Sequence, residues 1–252
     1  MRKTTLVNIF LRSLLIHATL NFRRMQNLGF TMAIIPLIRE LKLNEKESEA
    51  FLTKHLQMFN THPYFTGPII GSIVGLEEEH ASQKDELFDV NAIKQSFMAS
   101  YAAIGDTFFW GAFRPFAAFV SILLMYLGLA FAPVIYLLIY TPVHVWVRLK
   151  GFIEGYHRGK RGFEFIRSLN LPGLAVKIRW MSLGVLIALL LWLSRSGGYW
   201  PFMQTYSIVI RLAAVAVVLL CMFLMHKGLT QLQLLYGAVA VFVVISWTGL
   251  MN

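Results

Sequence analysis

Two runs near the C-terminus constrain this chain more than any other feature. Ile208 to Met225 is interrupted only by Arg211, and Leu229 to Met251 carries no charge at all. A helix needs ~20 apolar residues to cross the hydrocarbon core of a bilayer, so both runs are predicted to cross. Composition agrees: 57% of the 252 residues are hydrophobic and 14% are charged, against about a quarter charged in soluble domains. Trp180 to Ser194 is shorter, and becomes a third crossing if Ile178 joins it and Arg179 and Arg195 extend toward the interfaces. From Arg114 to His144 an uncharged stretch too long for one crossing carries Gly128 and Pro133 near its middle, which predicts a path across and back.

Charge divides the chain. Ten of its 13 acids precede Lys94, leaving Asp106, Glu154 and Glu164 for all that follows. The segment 148–179 holds Arg148, Lys150, Arg158, Lys160, Arg161, Arg167, Lys177 and Arg179 against two acids, which places it as a basic loop in the cytoplasm. The N-terminus is then cytoplasmic and the C-terminus extracytoplasmic. These bases flank apolar runs instead of forming a polar fold of their own, which argues against nucleic acid as a partner. The single Cys221 lies in an apolar run and makes no internal disulfide. No small-residue cleavage site follows Met1-Arg2-Lys3, so no cleaved signal peptide is expected. The fold class read from these features is an all-α integral membrane protein with about five transmembrane helices. Residues 1–114 form an N-terminal helical region with re-entrant segments, and residues 115–252 a transmembrane region containing the basic loop.

In the N-terminal region Arg12, Thr19, Arg23 and Gln26 recur on one helical face of Leu6 to Leu28, and Leu11, Leu15, Ala18, Phe22 and Met25 on another. This predicts an amphipathic helix lying on the membrane. Asn44 with Glu47 three residues on predicts a capping box, opening a helix that runs to about Phe59, before Pro63. Gly67, Gly71 and Gly75 stand four apart, a spacing that gives a helix a flat face for close backbone contact. Their apolar stretch ends at Glu77-Glu78-Glu79-His80, too short to cross, so a re-entrant hairpin is expected. Asp106 is an isolated acid between two short apolar segments, Gln95 to Gly105 and Thr107 to Phe113. An acid at membrane depth costs ~3 kcal/mol or more and faces a partner or a hydrated cavity, and discontinuous segments of this kind mark transporter sites.

The ordered motifs Phe10-Leu11-Arg12-Ser13, Asn21-Phe22, Arg24-Met25-Gln26, Leu28-Gly29-Phe30, Phe59-Asn60-Thr61 with Pro63, Leu76-Glu77-Glu78, Gly105-Asp106, Phe109-Trp110-Gly111, Arg114-Pro115 and Gly155-Tyr156 carry a family resemblance. The chain resembles the IID component of the mannose/fructose/sorbose family of the bacterial phosphotransferase system (PTS) over roughly its first two thirds. It departs at Ala99-Ser100-Tyr101-Ala102-Ala103, where the family has Gly-Pro-Leu-Ala-Gly, and in a shorter C-terminal third.

The resemblance implies a multi-pass subunit of the bacterial inner membrane. With a IIC membrane subunit, in a higher IIC/IID oligomer, it would import a hexose coupled to phosphorylation by IIB, which IIA recharges. This chain would carry no phosphoryl group, need no cofactor or metal, and catalyse nothing alone. The alternative is a scaffold that stabilises a IIC pore without touching sugar. A membrane enzyme has little support, because no nucleophile, metal set or phosphate loop accompanies Glu77 to His80.

A hexose site needs donors and acceptors for hydroxyls and a flat apolar surface for the ring. Asn60, Thr61, Glu77, Glu78, Asp106 and Gln26 could supply the first, Trp110 the second. Each has a plainer reading beside it. Asn60 to Pro63 could be a capping turn, the glutamates a solvated helix end, and Asp106 with Arg114 a structural ion pair.

Overall fold

The computed structural model describes residues 1–83 and 89–195, with isolated positions beyond them. The expected crossings Ile208 to Met225 and Leu229 to Met251 lie mostly outside the described residues. The chain divides into two compact units, Met1–Leu189 and Leu190–Asn252. Among the described residues the fold is helical, with isolated β-bridges at Asn21–Met25 and Met25–Phe59 and no strand.

The N-terminal amphipathic segment is not one helix. Helix α1 spans Lys3–Ser13 and α2 spans Asn27–Ile34. Between them the chain turns, because Met25 takes a left-handed φ of 58° and Asn21 Oδ1 accepts from Arg24 N at 2.8 Å. A left-handed residue cannot continue a right-handed helix. Short α3 (Pro36–Glu40) follows, then α4 (Glu45–His55). The capping box opening α4 forms in both directions: Glu47 N donates to Asn44 Oδ1 and Asn44 N to Glu47 Oε2. Helix α4 stops at His55, short of the expected Phe59.

After a 3₁₀ turn at Pro63–Phe65, α5 (Thr66–Gln83) packs along α8 (Ala132–Arg158) as the spine of the first unit. The reason is glycine on both sides. A Cβ added at Gly67 would stand 2.6 Å from the carbonyl oxygen of Arg148, and Gly71 and Gly75 meet the backbone of Phe152 and Tyr156 in the same way. From the other side Gly151 faces Pro68, and Gly155 faces Pro68 and Ser72. The four-residue period on α5 thus meets a four-residue period on α8, and the backbones close to van der Waals contact where any side chain would hold them apart.

Helix α6 (Val90–Gly105) continues without a break through a π-helical segment, Asp106–Phe113, into α7 (Arg114–Tyr126). The discontinuity expected at Asp106 is therefore a widened turn inside one long helix. A turn at Gly128, with φ 89°, reverses the chain into α8, the hairpin expected of the uncharged stretch. The segment 148–179 is no open loop: α8, a 3₁₀ turn at Gly159–Arg161, α9 (Gly162–Ser168) and the start of α10 (Leu171–Arg195) fill it.

Two helical stretches, Val90–Tyr126 and Ala132–Leu190, are long and apolar enough to cross a membrane. Their most apolar windows are only 33% and 17% buried. A core helix of a water-soluble protein would be mostly buried, whereas Leu137, Leu138, Trp146 and Trp180 point outward. Such an outer face needs lipid or a partner. The departure at Ala99 to Ala103 is used for packing: Tyr101 is fully buried and stacks on Phe65 at 5.4 Å, with Phe97 and Phe163 at its edges.

Candidate functional site

The strap from Met58 to His62, between α4 and the 3₁₀ turn, is pinned on two sides. Gln26, buried at the start of α2, donates through Nε2 to the Thr61 carbonyl at 2.8 Å and accepts from Thr61 N at 3.2 Å. This two-way clasp treats the Gln26 amide as a substitute strand, and His17 Nε2 receives its remaining N–H at 2.9 Å. On the other side α6 holds the strap: Thr61 Oγ1 donates to the Met98 carbonyl at 3.1 Å, Asn60 N to Met98 Sδ, and Gln95 Nε2 to the Met58 carbonyl. The two Gln26–Thr61 bonds are buried, so those backbone groups are satisfied away from water.

Pinning the strap leaves the Asn60 side chain exposed and turns His62 inward. His62 is 2% exposed, stacks on Phe109 at 5.4 Å and meets Trp110 at 4.7 Å. Gly105 makes room for it, since a Cβ there would collide with the His62 ring. Nδ1 of His62 accepts from Tyr64 N at 3.3 Å, whereas Nε2 is buried without a partner among the described residues. Burial, and then the charges of Arg148 and His17, push the His62 pKa down to about 3, so the ring is neutral at physiological pH and Nε2 carries its proton. The π-helical turn is what aims Phe109 and Trp110 together: Phe109 is fully buried against His62 and Phe65, and Trp110 is 47% exposed. Arg148 of α8 closes the far side, donating twice to the Pro63 carbonyl at 2.8 and 3.2 Å.

Asp106 follows Gly105, which meets His62, and Asn60 stands two residues ahead of His62, so both positions lie close along the chain to the Gly105–His62 contact. Both are exposed, and neither has a hydrogen-bond or ion-pair partner among the described residues. Asp106 and Arg114 are not brought together as an ion pair. They stand at opposite ends of the π-helical turn, each exposed.

Glu77 and Glu78 lie elsewhere. They stand eleven or more residues along α5 from Thr66, about 16 Å at 1.5 Å per residue. Glu77 is buried and accepts from Lys54 Nζ at 2.8 Å and His55 Nε2 at 2.9 Å. Burial would raise its pKa, but the hydrogen bonds and charges of His55 and Lys54 outweigh that and lower it. Glu78 holds the N-terminal ammonium and the Tyr156 hydroxyl. Both glutamates therefore join α4, α1 and α8 to α5. His62 was missed as a site residue because in sequence it is one member of a turn before proline. The signal lay in Gly105, whose missing Cβ leaves room for the His62 ring.

With this geometry in view, comparison with known proteins is informative. Residues 1–196 match the family described as the PTS system mannose/fructose/sorbose family IID component. The chain belongs to this family. This IID chain is 36% identical over 155 residues to the mannose-specific EIID component of Escherichia coli K12, covering 60% of the chain and 54% of that relative. It thus spans about half the length of several curated relatives that it matches. It is 26% identical over 256 residues to a sorbose-specific EIID component of Lacticaseibacillus casei, covering 93% and 89% of the two chains. Its fold is similar to a chain in a cryo-EM structure of the mannose transporter ManYZ with microcin E492, with a TM-score of 0.59, 25% identity and coverage of 99% and 97%. A further solved structure, described only as a membrane protein, aligns with a TM-score of 0.69 at 26% identity. The IID chain is therefore a helical protein of the bacterial inner membrane and a component of a sugar phosphotransferase system.

Proposed function

We propose that this IID chain works with a IIC subunit, in a higher IIC/IID oligomer, as the translocating unit of a permease. It imports a hexose of the mannose/fructose/sorbose class, phosphorylated by IIB and supplied by IIA on the cytoplasmic side. One observation supports this reading most: half-exposed Trp110, backed by buried His62 and Phe109, shares the π-helical turn with exposed Asp106, and neither the Asp106 nor the exposed Asn60 side chain has a partner among the described residues. Hydroxyls need such donors and acceptors, and a pyranose ring face needs such an apolar surface. Gln26 and Thr61 hold the strap that presents Asn60. Glu77 and Glu78 act on the site only through α5, as anchors.

The chain crosses the membrane about five times in this reading: through α6–α7, α8, α10 and the two C-terminal runs. Before Arg114, the Gly67–Gly75 and Asp106 segments enter the membrane while the first helices lie on its surface, with the N-terminus cytoplasmic, the basic segment 148–179 at the cytoplasmic face and the C-terminus outside. The test is sugar uptake by the IIC/IID complex reconstituted in vesicles with IIA and IIB. Asn60→Ala with Asp106→Asn removes two polar contacts, each ~1.5 kcal/mol or more where a charged group is involved, so uptake should fall about tenfold or more. Unchanged uptake by a correctly assembled complex would exclude both residues from the pathway.

A further inference from the structure

A cavity of about 310 Å³ opens between α1 and α3, lined by Arg2, Thr5, Asn8, Arg12, Ile35 and Arg39 among others. The sugar-site reading does not use it. Its charge is strongly one-sided. Glu40 is already engaged, accepting from Arg2 N at 2.8 Å, Arg2 Nε at 3.0 Å and Thr5 Oγ1 at 2.8 Å. Those contacts hold the Glu40 carboxyl at a pKa of about 2, so it stays ionised and neutralises Arg2. Two guanidinium groups remain. Arg12 is aimed by Asn8 Oδ1 at 3.0 Å and the Met32 carbonyl at 3.3 Å, which use one N–H on each of two nitrogens. Neither Arg12 nor Arg39 has a carboxylate partner among the described residues. Arginines held around a concavity with no free carboxylate match the oxygens of a phosphate, because guanidinium donors pair with phosphate in a fork.

The surroundings say which phosphate. Val7 and Leu11 of α1, with Leu15 just beyond it, are 56%, 54% and 67% exposed, and Met32 of α2 is 51% exposed. Ile35 is both exposed and part of the cavity wall. A soluble phosphate would gain nothing from that apolar border. A phospholipid would, since its acyl chains continue where its headgroup ends, and helices with an apolar face beside arginines lie at the bilayer interface.

We propose that the α1/α3 cavity binds the phosphate headgroup of an anionic phospholipid, with Arg12 and Arg39 as its ligands. The lipid seats the N-terminal helices on the membrane surface. The test uses the full chain in its complex with IIC, purified in detergent, and measures retained phosphatidylglycerol by native mass spectrometry. Vesicles of phosphatidylcholine with or without phosphatidylglycerol supply the lipid. Each arginine near a lipid phosphate should be worth about a fivefold change in affinity. Arg39→Gln, which breaks no bond within the chain, should therefore weaken retention about fivefold, and Arg12→Gln with Arg39→Gln about twenty-five-fold. Arg167→Gln with Lys177→Gln, which removes equal charge far from the cavity in sequence, should leave it unchanged. Equal loss in that control would reduce the effect to bulk charge and overturn the proposal. So would full retention by Arg39→Gln, or displacement of the lipid by millimolar hexose 6-phosphate, which would make the cavity a site for a soluble phosphate.

Discussion

Replacing Gly71 with alanine tests the packing on which the rest of the first unit depends. The added Cβ would stand 2.9 Å from the carbonyl carbon and 3.0 Å from the Cα of Phe152, with the carbonyl oxygen nearer still. Ordinary contact begins near 3.4 Å and the carbonyl oxygen is the nearest obstacle, so α5 and α8 would have to part by more than the ~0.5 Å that the carbonyl carbon alone demands. The obstacle is backbone, which has no rotamer to change. Separation at Gly71 also opens the contacts at Gly67, Gly75, Gly151 and Gly155, because all five lie along one seam. Overpacking costs about 1–3 kcal/mol, and a rigid neighbour along a shared seam puts this substitution at the upper end. About 3 kcal/mol is a change of roughly a hundredfold in the ratio of folded to unfolded protein. Gly184 of α10 is the control, since a Cβ there meets nothing within 4 Å. Unfolding of both variants in mixed micelles of dodecylmaltoside and increasing SDS, followed by tryptophan fluorescence, gives the midpoints. Gly71→Ala as stable as the unsubstituted protein, or Gly184→Ala as damaging as Gly71→Ala, would refute the backbone seam.

Three further outcomes follow from the polar contacts. His62 has its pKa lowered to about 3 in the fold against 6.5 for the free side chain. Its contribution is thus complete above pH 6.5 and is lost as pH falls toward 3, amounting to as much as about 2 kcal/mol by pH 5; His62→Gln should unfold with a flatter pH profile between 7 and 5. Glu77→Ala leaves buried His55 and half-buried Lys54 without their shared acceptor, so thermal unfolding should show a loss of about 3 kcal/mol, while Glu79→Ala, at an exposed position, should be near neutral. Gln26→Leu strips both hydrogen bonds from the Thr61 backbone in a buried place, which should cost about 2 kcal/mol. It should also speed amide exchange at Thr61 while leaving the exchange of α8 unchanged.

Much of the architecture was legible in the residues because lipid leaves few choices. Among the described residues apolar length predicted α7, α8 and α10, Gly128 and Pro133 predicted the reversal between α7 and α8, and the Asn44–Glu47 pair predicted its own cap. The period of Gly67, Gly71 and Gly75 predicted a close helix contact. Its partner could not be read, since Gly151 and Gly155 are about eighty residues away and only folding matches the two periods. Leu6 to Leu28 was misread as one helix, because the helical spacing persists through a turn that a single left-handed residue, Met25, imposes. The segment 148–179 was read as a loop from its charge, yet charge reports which side of a membrane a segment faces and not its backbone conformation.

The site divides along the same line. Residue chemistry alone selected Asn60, Asp106 and Trp110 as polar or aromatic groups in unusual company, and it marked Glu77 and Glu78 just as strongly. Only the fold separated them: α5 carries the glutamates about 16 Å along its axis from Thr66 and gives them cationic and hydroxyl partners from α4, the N-terminus and α8. It also turned His62 inward through the space that Gly105 leaves, beside an aromatic pair aimed by a π-helical turn. Sequence determined that this chain must live in a bilayer, since hydrophobicity is a property of composition summed over a length. Tertiary structure decided which polar groups stay unpartnered, because that depends on what arrives from elsewhere in the chain.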